Sequence, residues 1–302
     1  MQGPKVSLDQ WRVLQAVVDC GGYAQAAEHL HRSQSALSYS IARLQEQLGA
    51  AVLVVEGRKA RLTPAGEVLL GRSRQLVADA LALEDLAANL QQGWEPEIKL
   101  VVDAAFPSCF LMQSLKRFAP QSRGSRVLLN EVVLSGADEA LLEGRADIAI
   151  SAQPPKGFLG HALVEVEFVA VAHRDHVLHG FGRELTGADL RREMQVVIRD
   201  SGLYLKRDTG WLGAEHRWTV TSIDKALEAL ISGLGFGWLP RHQIQPHLDQ
   251  GVLQPLPLRE GGSRFAWLYL IFGRADNVGP ASCLLADILR EVCQAKGEVV
   301  ES

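Results

Sequence analysis

With 302 residues, 47% of them apolar and 22% charged, the chain has the balance of a globular protein of two or three domains, and its net charge of −4 excludes one that coats nucleic acid by charge alone. The charge is uneven: residues 1–62 hold 7 Lys and Arg against 5 Asp and Glu, a surplus of +2, and residues 63–302 hold 24 against 30, or −6. No stretch approaches the roughly 18 uninterrupted apolar residues of a membrane span, and the start MQGPKVSLDQ has no apolar signal core. The four cysteines, Cys20, Cys109, Cys283 and Cys293, show neither metal-ligand spacing nor a disulfide framework, so a cytoplasmic protein with no membrane partner and no cofactor is expected.

The spacing predicts a first helix from Ser7 to Cys20, capped by Ser7, with Leu8, Trp11, Leu14, Val17 and Val18 on one face and Gly21-Gly22 as its stop. Tyr23 to about Leu30 is a short second helix whose small apolar face is Ala26, Ala27 and Leu30. After the break at His31-Arg32, Ser33 caps a third helix in which Leu37, Ile41, Leu44 and Leu48 form one stripe, and Gly49 closes it. Its opposite face carries Gln34, Ser35, Ser38, Tyr39 and Arg43. Short donors and acceptors at a helix N-terminus suit base edges in a major groove, whereas the cation and the helix N-terminus suit phosphate. The same pattern also fits a solvated helical hairpin, so the flanking sequence has to decide.

Val52–Val55 and Ala60–Leu62 read as a β-hairpin with Arg58 and Lys59 at its tip and Arg61 beside it, a wing placed for phosphate contact. Thr63-Pro64 opens a long helix in which Leu69, Leu76, Leu83 and Leu90 recur every seven residues. Ser73, Ala80 and Ala87 fall between them, small enough for a second helix to approach. A leucine heptad of that length needs a cover, from a second copy or from the chain's own body. Gln91 to Pro96 ends the helix and reads as a hinge.

From Ile98 strand and helix patterns alternate: strands at Ile98–Val102, Arg126–Leu134 and Asp147–Ile150, with helices at Pro107–Phe118 and Ala137–Glu143 between them. Further strands are expected at Val164–Ala172, Val196–Arg199, Arg217–Thr221, Phe236–Leu239, Leu256–Leu258 and Ala266–Phe272. Ile223–Ile231 and Ala281–Ala295 read as helices.

The order of parts, and the residues that fill it, resemble a LysR-type transcriptional regulator over essentially the whole length. The resemblance is carried by Ala26-Ala27, Leu30, Ser33-Gln34-Ser35-Ala36-Leu37-Ser38, Ile41, Leu44-Gln45-Glu46, Leu48-Gly49, Gly57-Arg58 and Leu62-Thr63-Pro64-Ala65-Gly66. In the body it is carried by Leu141 to Ile150 and by Ile231 to Pro240. It implies an α/β protein with an N-terminal all-α winged helix-turn-helix over 1–62 and a linker helix for dimerisation over 63–92. An effector-binding domain over 93–302 follows, a two-lobed fold of the type-2 periplasmic-binding-protein kind. Lobe I would be about 97–162 with 267–302, and lobe II about 163–266.

The resemblance further implies a homodimer or homotetramer on double-stranded promoter DNA, responding to a small-molecule effector and contacting RNA polymerase. Gln34, Ser35, Ser38 and Tyr39 would face bases, and Ser33, Arg43, Arg58, Lys59 and Thr63 the DNA backbone. The pattern departs from the family at Leu53 and Val55, where Phe and Arg are common, and at Tyr39, where a basic residue is frequent. Operator preference is therefore left open.

In a two-lobed α/β fold a ligand sits at strand C-termini and helix N-termini. Three junctions qualify: Phe106-Pro107-Ser108-Cys109, Ser135-Gly136 and Asp200-Ser201-Gly202, with Phe106 as a stacking ring; each is also readable as an ordinary cap or turn. An inward-facing Asp103 or Asp200 would disfavour a purely anionic ligand and allow an amine. His173, His176 and His179 lack a fourth metal ligand, and Gly233, Gly235 and Gly237 do not continue into a dinucleotide fingerprint. A thiol-based redox regulator is a rival reading through Cys109, though residues 164–265 hold no cysteine. A small-molecule-binding protein or enzyme on the α/β body is another, but no nucleophile–base constellation supports it.

Overall fold

The structure, a computed structural model, describes residues 3–56, 59–205, 207, 210–274 and 277–297, and the chain separates into two compact units, Met1–Gln91 and Gln92–Ser302. Arg58 and the side chain of Lys59 lie outside the described residues.

In the first unit three helices, α1 (Leu8–Asp19), α2 (Tyr23–His29) and α3 (Gln34–Leu48), enclose one apolar cluster. Ser7 caps α1 through a reciprocal pair: the Gln10 amide donates to Ser7 Oγ at 3.3 Å and the Ser7 amide to Gln10 Oε1 at 2.8 Å. The cluster takes Leu14 and Val17 from α1, Ala26 from α2, and Leu37, Ile41 and Leu44 from α3, with Trp11, Val18 and Leu48 half-buried at its edge. Leu8, expected on that face, is exposed, because the stripe is covered only from Trp11 onward. The turn into α3 is held by His31 in the left-handed region (φ 53°) and by a bidentate Arg32–Asp9 ion pair at 2.7 and 3.0 Å.

The wing strands β1 (Leu53–Glu56) and β2 (Lys59–Leu62) pair antiparallel, Leu53 opposite Leu62 and Val54 opposite Arg61. Gln45 fixes the wing to α3, its Oε1 accepting the amides of Val52 at 2.8 Å and Leu53 at 3.0 Å. Helix α4 (Pro64–Gln91) follows, capped by Thr63 Oγ1, which accepts the Gly66 amide at 2.9 Å. Leu70, Ser73 and Val77 are buried on α4, and Ser73 lies within 3.4 Å of Gln15 of α1 while Arg74 pairs with Asp19. Ser73 is thus covered by the chain's own first helix, not left for a second copy. Leu69 also packs on the helical cluster, whereas Leu76, Leu83 and Leu90 stay 49%, 68% and 48% exposed.

The second unit is built on one mixed sheet. Strands β3 (Glu97–Asp103), β4 (Arg126–Val132) and β5 (Ile148–Ser151) are parallel and form lobe I with helices α5 (Ser108–Phe118) and α6 (Gly136–Leu142). In lobe II, β7 (Met194–Ile198), β8 (His216–Val220) and β9 (Phe236–Pro240) are parallel, with helices α7 (Gly187–Arg191), α8 (Ile223–Ile231) and α9 (Arg241–Asp249). Two long antiparallel strands, β6 (Gly160–His173) and β11 (Ser263–Phe272), join the lobes: β11 pairs with β5 at one end and with β6 along its length, and β6 continues onto β9. The sheet order is β4-β3-β5-β11-β6-β9-β7-β8, with β10 (Leu253–Pro255) set against β6.

The last helix, α10 (Pro280–Gly297), packs beside α5 over lobe I, and its first amides, those of Ala281 and Ser282, are received by the Glu95 carboxylate at 2.8 and 3.1 Å. The strand expected at Leu256–Leu258 is found three residues earlier as β10, since Leu256 turns inward and Leu258 bridges Leu185 instead. Helix α9 was hidden in the sequence by Pro246 inside it.

Gly66 sits against the wing so closely that a Cβ would lie 2.0 Å from the Val52 carbonyl oxygen, while Gly71, one turn and a half further along the same helix, faces open space. Gly66→Ala should therefore lower the melting temperature by several degrees, and Gly71→Ala should raise stability by about 0.5–1 kcal/mol, through helix propensity alone. Circular-dichroism melts of the two variants test this, and shifts of the same sign would contradict the packing described.

Candidate functional site

Helix α3 has two unlike faces. Leu37, Ile41 and Leu44 are buried, and the outward face exposes Gln34, Ser35, Ser38, Tyr39 and Arg43, with Tyr39 at 73% exposure. Ser33 Oγ accepts the Ala36 amide at 3.2 Å and lies 3.0 Å from Ser35 Oγ, so both hydroxyls sit at the helix N-terminus. Arg43 is held by Glu46 at 2.6 Å in an exposed i,i+3 pair, a weak partnership that a phosphate can displace. Thr63 is different. Its hydroxyl donates to the Ala51 carbonyl at 2.7 Å and accepts from Gly66, and its amide donates to Val52, so its donors are committed to the wing–α4 junction. The expectation that it faces DNA backbone is corrected on that ground.

The three junctions expected to line an effector cleft do not act together. Phe106 is only 2% exposed and sits in the lobe I core, edge-on to Phe110 with ring centroids 6.3 Å apart, so it offers no stacking face. Pro107 is buried at the start of α5, and Ser108 and Cys109 point to solvent.

The other two junctions meet, but against each other. Ser135 Oγ donates to the Asp200 carboxylate at 2.8 and 2.9 Å, and the Ser135 amide adds a bond of 3.1 Å. Ser201 Oγ accepts the Val133 amide at 2.9 Å and donates to the Val133 carbonyl at 3.0 Å. The Glu139 carboxylate accepts the amides of Leu203, Tyr204 and Leu205 at 2.9, 2.6 and 2.7 Å; these bonds hold its pKa below the usual carboxylate range. Arg207 pairs with the buried Asp138 at 2.6 Å. Gly136 and Gly202 allow the approach: a Cβ on the first would lie 2.1 Å from Ser201 Oγ, and on the second 2.0 Å from Ser135 Oγ. Those glycines let lobe meet lobe. This clasp was not visible in the sequence, because Ser135 and Asp200 lie 65 residues apart.

The two lobes also bound a cavity of about 710 Å³, within the usual range for a small-molecule site. Asp103 and Ala105 enter it from the end of β3, Val133 and Leu134 from the end of β4, Ala152 from the end of β5, Gln195 to Ile198 from β7, and Arg264, Phe265, Ala266 and Leu268 from β11. None of the nine expected effector residues is part of its lining. Of the two aspartates noted in the sequence, Asp103 faces the cavity, 6% exposed, and Asp200 is taken up by the clasp. Burial drives the Asp103 carboxyl up to about 6, although the Ala105 amide donates to it at 2.9 Å. Trp211, Trp238, Phe168 and Phe265 supply ring surface. The polar groups Gln195 and Arg264, and the wall formed by Trp211 and Trp238, were not foreseen from the sequence. Trp211 falls in a stretch with no expected element, and Trp238 in the middle of a strand, where the rule of strand ends and helix starts does not look.

All four cysteines are free thiols; Cys20 is half-buried, Cys109 and Cys283 are exposed and Cys293 is buried. Among the described residues no three or more His, Cys, Asp or Glu are grouped to hold a metal ion, and no helix is long and apolar enough to cross a membrane. His176 instead turns its Nδ1 to the Leu178 amide at 3.3 Å.

Residues 8–67 match the family model described as "Bacterial regulatory helix-turn-helix protein, lysR family", and residues 91–294 match that of the "LysR substrate binding domain". The chain is 32% identical over 256 residues to the HTH-type transcriptional regulator YeeY of Escherichia coli K12, covering 82% of each chain. It is 26% identical over 285 residues to the RuBisCO operon transcriptional regulator of Allochromatium vinosum, covering 92% of this chain and 93% of that protein. Among solved structures, ArgP from Mycobacterium tuberculosis shares the fold with a TM-score of 0.53 at 23% identity, covering 97% of both chains. Full-length LysG from Corynebacterium glutamicum does so with a TM-score of 0.53 at 20% identity, covering 96% of this chain and 98% of that one. A helix-turn-helix unit followed by a LysR substrate-binding domain, matched along nearly the whole chain, makes this protein a member of the LysR family of transcriptional regulators.

Proposed function

We propose that this regulator binds a specific promoter sequence through Gln34, Ser35, Ser38 and Tyr39 and changes that binding when a small molecule occupies the cavity between its lobes. The observation that carries the reading is the polar face of α3. Four side chains with hydrogen-bonding groups stand exposed at the N-terminal end of a helix whose back is fully packed. Ser33 and Arg43 would meet phosphate, and Arg58 and Lys59 are proposed to do the same. Leu76, Leu83 and Leu90, exposed along α4, are proposed as the seam of a homodimer, which can pair further into a tetramer. Leu69 has its cover already within its own unit. Full-length LysG with bound effector Arg is among the proteins that share this fold. Contact with RNA polymerase and a cytoplasmic location belong to the same proposal.

A thiol-based redox sensor is the less favoured reading. Cys109, its candidate, is an exposed free thiol, and burial pushes the Cys293 thiol up to about 12 and also raises that of Cys283, which suppresses the thiolate either would contribute as its partner. An enzyme is not indicated: the relatives are transcriptional regulators.

The direct test is a gel-shift titration of the full-length protein on the region upstream of its own gene. Random-sequence DNA of equal length is the competitor, and binding without selectivity for the upstream region would overturn the reading. Gln34→Ala with Ser38→Ala should weaken selective binding by about 1–3 kcal/mol for each base edge no longer read, while leaving binding to random DNA unchanged. Leu83→Asp should halve the mass seen in light scattering, and an unchanged oligomer would remove α4 as the seam. A raised Asp103 pKa means the folded state keeps its proton longer than the unfolded chain, so stability falls as pH rises from about 4 to 6 and is level above. Asp103→Asn should remove that slope and gain up to about 3 kcal/mol at pH 7 relative to pH 4, measured by urea unfolding at both values.

A further inference from the structure

The chemistry of the cavity wall narrows what it can hold. Gln195 is 3% exposed, and its Nε2 donates to the Trp211 carbonyl at 2.7 Å, which fixes the amide so that Oε1 is its other end. That oxygen is buried with no hydrogen-bond partner among the described residues, and so is Nε of Arg264. Both residues line the cavity, so an unpaired acceptor and an unpaired donor lie in its wall, and a ligand that brings the opposite groups would satisfy them.

Arg264 has no carboxylate partner among the described residues. Its guanidinium lies over the Phe168 ring, 4.8 Å from the centroid. Gly210 also lies against it, where a Cβ would come within 2.7 Å of Nη1. The cation is therefore seated on a ring and against bare backbone, its planar fork matched to a carboxylate. Trp211 and Trp238 stand 6.1 Å apart between centroids, tilted by 45°, and Trp238 Nε1 is fixed by the Gly261 carbonyl at 2.9 Å. With its N–H engaged, that indole has apolar ring surface left to offer, which favours a flat aromatic ligand. Asp103 and Glu260 line the same cavity; by themselves they favour an amine over an anion, Arg264 offsets that for one carboxylate, and a second anionic group on the ligand would face a carboxylate.

We propose that the effector is a planar aromatic monocarboxylic acid bearing a ring N–H or hydroxyl, its carboxylate on Arg264, its donor on Gln195 and its ring against the two tryptophans. This deepens the regulator reading and rests on it for the ligand's role as effector; the binding chemistry stands by itself.

The test uses the purified full-length protein, isothermal calorimetry and the quenching of tryptophan fluorescence. Indole-3-carboxylic acid and 4-hydroxybenzoic acid are the probes. Cyclohexanecarboxylic acid, tryptamine and phthalic acid are controls that lack the ring, the single negative charge or the single acid group. Both probes should bind at least about tenfold more tightly than any control. Arg264→Gln should cost both probes at least about tenfold, with Arg264→Lys intermediate. Gln195→Leu should weaken 4-hydroxybenzoate but not benzoate, which has no donor. Melting curves of each variant check folding, and the wild-type control series decides the matter even if a variant is unstable.

Equal binding of cyclohexanecarboxylic acid, preference for tryptamine, or no binding of either probe would overturn the assignment. Promoter selectivity of the ligand-free protein is measured alongside. If selectivity holds while the acids fail, the ligand class is wrong and the regulator reading stands. If the acids bind and selectivity is absent, the regulator reading has failed and the cavity assignment survives.

Discussion

The second unit depends on carboxylates that accept backbone amides across the lobe boundary. Glu139 takes three consecutive N–H groups of 203–205 across that boundary, and Asp200 takes that of Ser135 across it and those of Gly202 and Arg207 within its own lobe. A loop that leaves a strand end carries unpaired amides, and burying them without acceptors costs more than the bonds return. Here each lobe supplies the acceptors for the other. The clasp thereby sets the distance between the ends of β4 and β7, and with it the width of the cavity behind them. Its charged members are satisfied by hydrogen bonds more than by ion pairs, so salt screens them little.

That arrangement separates two tasks that the strand ends of an α/β fold can perform. On one side, the ends of β4 and β7 are consumed in holding the lobes together. On the other, the end of β3 with the interior of β7 and β11 borders the cavity. A ligand that binds there has to make different contacts in two lobe arrangements to shift their balance. The clasp is a discrete element whose bonds can be made or broken as a set, and the cavity wall shares Val133 with it.

The DNA-binding unit uses the same economy of partners. Gln45 receives two wing amides, Thr63 bridges Ala51 and Gly66, and Arg32 grips Asp9. Each bond fixes an element around α3 without drawing on the residues of its outer face. Gln34, Ser38 and Tyr39 are left presented on a firm base, which is the condition for reading base edges by hydrogen bonds. On α4 the faces divide in the same way. Leu70, Ser73 and Val77 turn inward to the helical unit and Leu76, Leu83 and Leu90 turn outward.

Local order was legible in the sequence wherever a periodic stripe met a capping residue. Ser7, Ser33 and Gly49 mark helix ends that the structure shows at the same places, and helix α8 was readable to the residue. The family, too, follows from short contiguous runs, which a linear reading captures. Tertiary structure alone decided which side of a junction faces a ligand. Whether Ser135 and Asp200 bind a guest or each other depends on how two lobes meet, and the partners are 65 residues apart. It also decided that Phe106 fills a core, that Ser73 lies under α1, and that Gln195, Trp211 and Arg264 converge. A pattern of residue types states what a side chain can bond to, whereas only the folded chain determines which bonds are already made.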